Sequence, residues 1–242
     1  MKSTGTRQSK TDMGGNRTGV QTAPEMAEEL IAGAAAAGPS MDGGPEMADA
    51  ERAEYISKGF PVGSLPGLAF AEEAKADDET IGMAVFLDKL SERLAFERMG
   101  TRLYDAFLVK CETLGEEGVG PTLAEVEEIR DEEHRHFLLL NEAVTELGGD
   151  PTVKSPCADV AAVASLGIMQ VLTDPRTTVT QCLQALLTAE LTDNAGWEML
   201  IDVAEELGHS DLSERFTDAL TNEQNHLLNV QTWLSDRVSA KL

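Results

Sequence analysis

Residues 122–147 read TLAEVEEIRDEEHRHFLLLNEAVTEL, and the phasing of this stretch decides the fold. Steps of three and four residues keep to one face of a helix. From Val126 that walk meets Ile129, Glu133, His136, Leu140, Val144 and Leu147. The spacing predicts one amphipathic helix from Thr122 to Leu147, stopped by Gly148 and Gly149. Its apolar seam is interrupted at the centre by a carboxylate and an imidazole one turn apart. A helix that turns Glu133 and His136 toward its Ile and Leu face needs a partner for them in the interior, because an unpaired buried charge is strongly destabilising.

Three other segments repeat the pattern. A helix predicted from about Ile81 to Leu114 carries the seam Met83, Leu87, Leu90, Leu94, Glu97, Thr101, Tyr104, Leu108. One from about Thr177 to Leu207 carries Val179, Leu183, Leu186, Glu190, Asn194, Trp197, Ile201, Ala204. The last, from Asp211 or Leu212 to about Val238, carries Phe216, Ala219, Glu223, His226, Val230, Trp233. The Gly-rich GEEGVGP (115–121) and the short GHS (208–210) make each consecutive pair an antiparallel hairpin. Between the hairpins, residues 148–177 are long enough to cross the whole bundle, with a short helix near Asp159–Leu172. Two hairpins joined by one long crossover is the connectivity of a ferritin-like four-helix bundle. No strong alternating apolar run competes with it in the second half of the chain, so the expected fold class is all-α.

Each seam carries one Glu at mid-length: Glu97, Glu133, Glu190 and Glu223. The second and fourth helices add His136 and His226 three residues later, on the same face. Four carboxylates converging in a core repel one another and demand positive charge. Two divalent cations supply it, and two neutral imidazoles complete the donor set without disturbing the balance. A Glu from each of two helices plus Glu-x-x-His from the other two is the ligand pattern of dinuclear carboxylate bundles. The halves also repeat: Glu97 precedes Glu133 by 36 residues and Glu190 precedes Glu223 by 33, and an aromatic, Tyr104 or Trp197, stands seven residues after each first Glu. A site of approximate two-fold symmetry follows. Thr101, Tyr104, Asp193, Asn194 and Trp197 are candidates to surround it, and Asp105 is a weaker one. His134, off the seam, and His209, in a turn, read as surface residues.

Composition narrows the partners. A formal net charge of -24 and a pI near 4.4 argue against nucleic acid and anionic membrane surfaces, and favour cations. Three cysteines without a Cys-x-x-Cys pair argue against a disulfide framework or a sulfur-ligated metal, and fit a reducing cytoplasm. The N-terminus lacks an apolar stretch of signal-peptide type, and no run approaches about 18 uninterrupted apolar residues. Residues 1–80 are rich in Gly, Ala and small polar residues and read as an extension with two short helices, PEMAEELIAGAAAA, with Thr22 near its cap, and PEMADAERAEYISK. The bundle occupies 81–242.

With these residues in view, the segment from about 81 to 238 resembles the ferritin-like superfamily, closer to rubrerythrin-type bundles than to classical ferritins because of the paired Glu-x-x-His motifs. The resemblance implies Glu97, Glu133, His136, Glu190, Glu223 and His226 as ligands of two iron or manganese ions, O2 or peroxide as reactant, no catalytic residue beyond the ligands, and a homo-oligomer. It implies oxidoreductase chemistry of ferroxidase or peroxidase type, with iron storage or manganese catalase-like dismutation as alternatives. Rubrerythrins add a rubredoxin-like domain with Cys-x-x-Cys pairs, absent from this sequence, and a further Glu ligand on the third helix, where this chain has Asp193. The stretch FPVGSLPG (60–67) resembles the Gly-Ser-Leu peptides that dock ferritin-like cargo inside encapsulin shells.

Overall fold

The computed structural model describes residues 24–38, 44–59, 77–115 and 118–242. The chain divides into two units, residues 1–60 and 61–242. The first contains α1 (Pro24–Ala37) and α2 (Pro45–Ser57), at the positions of the two short expected helices. Each starts on a proline, whose missing N–H is no loss in a first turn. Met26, Leu30, Ile31, Met47, Tyr55 and Ile56 all stay exposed, so these helices form no core of their own. Thr22 and the 60–67 peptide lie outside the described residues.

The second unit is built on α3 (Asp78–Leu114), α4 (Leu123–Glu146), α5 (Pro156–Thr173), α6 (Val179–Glu206) and α7 (Ser210–Ser239). The termini are set by local chemistry. α3 starts three residues before Ile81 because the Asp77 carboxylate accepts from the Thr80 N–H at 2.9 Å. Thr122 with Glu125 and Thr178 with Gln181 form reciprocal capping boxes for α4 and α6. α4 and α6 both end on a glycine with positive φ, Gly148 at 80° and Gly208 at 79°. The N–H of Gly149 then reaches Val144 O at 2.9 Å and that of His209 reaches Ala204 O at 2.8 Å, the Schellman closure that satisfies the last carbonyls.

α3 pairs with α4 and α6 with α7; α3 then packs on α6 and α4 on α7. Contacts at the two ends fix the directions. Gly82, early in α3, lies against Leu207 at the end of α6, and Lys110, late in α3, donates to the carbonyls of Asp174 and Thr177 just before α6. Arg215 in the first turns of α7 bridges Glu142 and Glu146 at the end of α4. α5 is the crossover and runs along α3 and α6. Ser155 caps it and Asp88 of α3 accepts from the Cys157 N–H at 3.0 Å. By length and composition α5 is apolar enough to cross a membrane, at 18 residues and mean hydropathy 1.4. Its inner face, Ala161, Ser165 and Leu172, is buried on the bundle, while Val160, Val163 and Leu166 remain exposed.

The core is in two parts. One apolar cluster gathers Leu103, Phe107, Val126, Ile129, Leu183, Leu186 and Trp233 toward the end where α3 stops. The other gathers Phe86, Leu90, Leu140, Val144, Trp197, Leu200 and Phe216 toward the end where α3 starts. Between them the four long helices bring their mid-length polar residues together.

Candidate metal centre

The six seam residues meet in this middle layer, each nearly inaccessible: Glu97 and Glu223 are 0% exposed, Glu133, Glu190 and His226 1%, and His136 4%. Their donor atoms fall into overlapping groups, the atoms of each within 4.8 Å of one another. Glu190 and His226 group with Glu133 and Glu223; Glu97 and His136 group with Glu223; and Glu97, Glu133 and Glu223 group with Asp193. Glu223 belongs to all three, and Glu133 groups with Glu190 and His226 on one side and with Glu97 on the other, so these two residues occupy the middle, between a Glu190/His226 side and a Glu97/His136 side.

The close atoms do not satisfy one another. His136 Nδ1 lies 2.6 Å from Glu223 Oε1 and 3.8 Å from Glu97 Oε2, yet neither His136 Nδ1 nor Glu223 Oε1 has a hydrogen-bond partner of acceptable angle. Both oxygens of Glu97, Glu133 Oε2 and Glu190 Oε2 are also buried and take no hydrogen bond. Buried polar atoms in proteins are almost always paired, and such a concentration of orphaned oxygens and one orphaned imidazole nitrogen is what hard or borderline divalent ions accept. The charge agrees. With all five ionised, Glu97, Glu133, Glu190, Glu223 and Asp193, offset by the Arg93 guanidinium beside them, would carry four net negative charges, the complement of two divalent ions.

The ferritin-like domain family matches residues 87–238. The chain belongs to that family. No curated protein matches the chain. A solved structure from Bacillus anthracis str. Ames, described as ferritin like, diiron-carboxylate proteins, is 20% identical with a TM-score of 0.48, and the similarity covers 63% of this chain and 97% of that one.

In this ferritin-like bundle the electrostatics divide the carboxylates. Burial, followed by repulsion from Asp193, Glu133 and Glu223, holds Glu97 well above the ordinary carboxylate range. Burial does the same for Glu190, next to Glu223 and Glu133, and for Asp193 in spite of Arg93; Glu133 is also raised, by burial and then by Glu223. Glu223 goes the other way. Burial opposes its charge, but the imidazoles of His136 and His226 bring it down to about 2. Burial likewise opposes charge on His226, and the carboxylates of Glu132, Glu133 and Glu223 overcome it and raise the imidazole well above its ordinary 6.5.

The surrounding candidates separate into those that touch the layer and those that do not. The Tyr104 hydroxyl, buried and raised well above its ordinary value by burial and by Glu190, donates to Glu190 Oε1. Trp197 meets the His136 ring edge-on, with centroids 5.5 Å apart. Asn194 donates to the backbone carbonyls of Glu190 and Glu223, at 2.9 and 3.0 Å, and ties α6 to α7 at the level of the site. Thr101 donates to the Glu97 carbonyl and not to its carboxylate. Asp193 lies inside, 3.0 Å from Arg93 Nη1. Asp105 is outside, exposed and paired with Arg130 at 3.4 Å. His134 is exposed on Phe137 and His209 stacks on Phe86, both away from the site.

Four residues of the site were not on the seams. Arg93 stands one turn before Glu97 and is buried, 3.6 Å from Glu97 Oε1, with Phe96 under its guanidinium at 4.1 Å. It fits because α6 has glycine at 196, where a Cβ would collide with the guanidinium. Glu132 accepts from His226 Nε2 at 2.8 Å, and Asn222 Nδ2 faces His136 Nε2 at 3.4 Å. Gly100 leaves room for Glu133, whose carboxylate a Cβ there would strike. The helical pattern marks Arg93 and Gly100 by their spacing of four before and three after Glu97; Glu132 and Asn222 are one residue off the seam and give no such signal. Gly100→Ala is expected to keep the bundle folded, since alanine favours a helix over glycine by about 1 kcal/mol. It should weaken metal binding about 10–100-fold, as changes that move a ligand do. Thermal melting and a metal titration of the same preparation check both halves.

Proposed function

We propose that this protein holds two iron ions, or two manganese ions, between Glu97, Glu133, His136, Glu190, Glu223 and His226, and acts on O2 or peroxide as a ferroxidase or peroxidase-type oxidoreductase. The observation that carries this reading is the set of buried, unpartnered ligand atoms on two sides of a shared Glu133/Glu223 pair. Two ferrous ions in such a site supply two electrons together, the number that converts one peroxide to two waters. The chain's residues do the rest. Glu133 and Glu223, which group with donors on both sides, would hold the ions together with the outer ligands, Tyr104 keeps a proton on its hydroxyl and holds Glu190, and the two apolar clusters exclude water from above and below. A groove of about 290 Å³ between α3, α5 and α6, lined by Phe96, Ala161, Ala164, Ala195 and Gly196, has in its wall Arg93, which lies 3.6 Å from Glu97.

A storage reading is favoured by the net charge of -24, which draws cations to the surface. The exposed, uncharged outer face of α5 supports a homo-oligomer, and the three free cysteines fit a cytoplasmic setting. Anaerobic protein loaded with ferrous iron and mixed with peroxide or O2 separates the readings. Catalysis predicts repeated turnover with iron near two per chain, whereas storage predicts iron accumulating far beyond that. Ferrous protein inert to both oxidants would refute the redox reading.

A further inference from the structure

The two-fold repeat of the bundle pairs Glu132 with Asn222, since each directly precedes a middle carboxylate, Glu133 or Glu223. Each also sits behind the opposite histidine: Glu132 at Nε2 of His226, 2.8 Å away, and Asn222 at Nε2 of His136, 3.4 Å away. The contacts match in place and differ in chemistry. A carboxylate only accepts, so Glu132 fixes a proton on His226 Nε2 and leaves Nδ1 to face Glu223 Oε2 at 3.1 Å and Glu133 Oε1 at 3.6 Å. Glu132 is itself held, because its other oxygen takes Arg135 at 3.2 Å. An amide donates through Nδ2 or accepts through Oδ1, so Asn222 fixes neither tautomer of His136. It is also farther from its ring than Glu132 is from His226.

The rest of the layer is unequal in the same sense. On the His226 side Tyr104 donates to Glu190 and orients that carboxylate. On the His136 side the Arg93 cation lies 3.6 Å from Glu97, where it competes with a metal ion for the same carboxylate, and Asp193 is turned to Arg93 at 3.0 Å. One half of the site has a carboxylate behind its imidazole and a hydroxyl donor on its terminal carboxylate, and the other has neither of these. A hydrogen bond from a ligating histidine to a carboxylate orients the ring and raises its basicity.

We propose that Glu132 and Asn222 are positioning residues that make the two metal positions unequal, so that the position formed with His226 and Glu190 fills first and more tightly than the one formed with His136 and Glu97. This rests on the dinuclear reading above. The test is an anaerobic calorimetric titration of the metal-free full chain with Mn2+, joined to anomalous diffraction from crystals given one Mn2+ per chain. Two steps separated by at least about tenfold are expected, the first ion lying beside His226. Glu132→Gln should weaken the tight step about 10–100-fold and leave the weak one in place. Asn222→Asp, of the same size, should tighten the weak step. Two ions bound with one affinity, a first ion beside His136, or a Glu132→Gln titration like the parent's would overturn the proposal while leaving the dinuclear site intact. Titrations showing no binding would overturn both together.

Discussion

Glu223→Gln is expected to empty both metal positions and, separately, to destabilise the metal-free protein. Glu223 belongs to all three groups of candidate donor atoms in the layer, so its loss would remove a candidate ligand from each side. Without metal its charge, brought down to about 2 by His136 and His226, is the counter-ion of a buried imidazolium. Removing one member of a buried ion pair typically costs about 3–5 kcal/mol. Glu190→Gln should behave differently. Burial already favours the protonated, neutral form of Glu190 when no ion is present, so an amide there replaces one neutral group by another. Metal binding should weaken while the metal-free melting temperature stays close to that of the parent. Urea denaturation of both variants in chelator, beside their metal content, checks the contrast; equal destabilisation by the two would show that the carboxylates do not divide as described.

Stripping the metal is expected to lower the melting temperature by more than about 15 °C near neutral pH. An ion present at a thousandfold its Kd contributes about 4 kcal/mol, there are two, and each kcal/mol moves the midpoint of a chain this size by about 2–4 °C. The metal-free protein should also show an unusual pH profile. Glu97, Glu190 and Asp193 have folded-state values above their ordinary 4.5, 4.5 and 3.8, so the stability they contribute is present in acid and lost as pH rises through the folded values. His226, raised above 6.5, acts in the same direction: its contribution is full below 6.5 and disappears as pH rises through its folded value. Glu223 has the opposite sign, and its contribution is lost as pH falls from 4.5 toward about 2. The metal-free bundle should therefore be most stable in mildly acidic solution and weaken toward pH 8, even though Arg93 offsets part of the carboxylate charge. Bound metal replaces those protons, so the gap between loaded and stripped protein should widen as pH rises. Parallel melting curves from pH 5 to 8 measure it; a constant gap would mean that no proton release accompanies binding.

The four long helices were legible because each seam keeps its phase for six to eight residues, and the interruptions at Glu97, Glu133, Glu190 and Glu223 stand out against Leu, Val and Ile. Their boundaries shifted by three residues or fewer, as at Asp78, where the side-chain cap rather than the apolar pattern sets the start. What joins the helices was less visible. Periodicity within one helix cannot say which residue of a neighbour faces it, so Glu132 and Asn222, next to the seam, acquire their roles only when α4 and α7 are placed side by side. Arg93 shows the same limit. In sequence it is an ordinary charge one turn from Glu97, and its burial depends on Gly196 more than 100 residues away. Thr101 and Asn194, at matching positions, looked equivalent, but Asn194 is long enough to bridge to α7 and Thr101 bonds back to its own helix.

On the function proposed above, the polar layer between the two apolar clusters is a dinuclear metal site. Mass spectrometric metal analysis of protein purified without chelators, beside a Glu133→Ala, Glu223→Ala double variant, tests it most directly. About two iron or manganese ions per chain are expected in the parent and almost none in the variant. A parent that is fully helical and carries no metal, even after anaerobic incubation with Fe2+ or Mn2+, would contradict it.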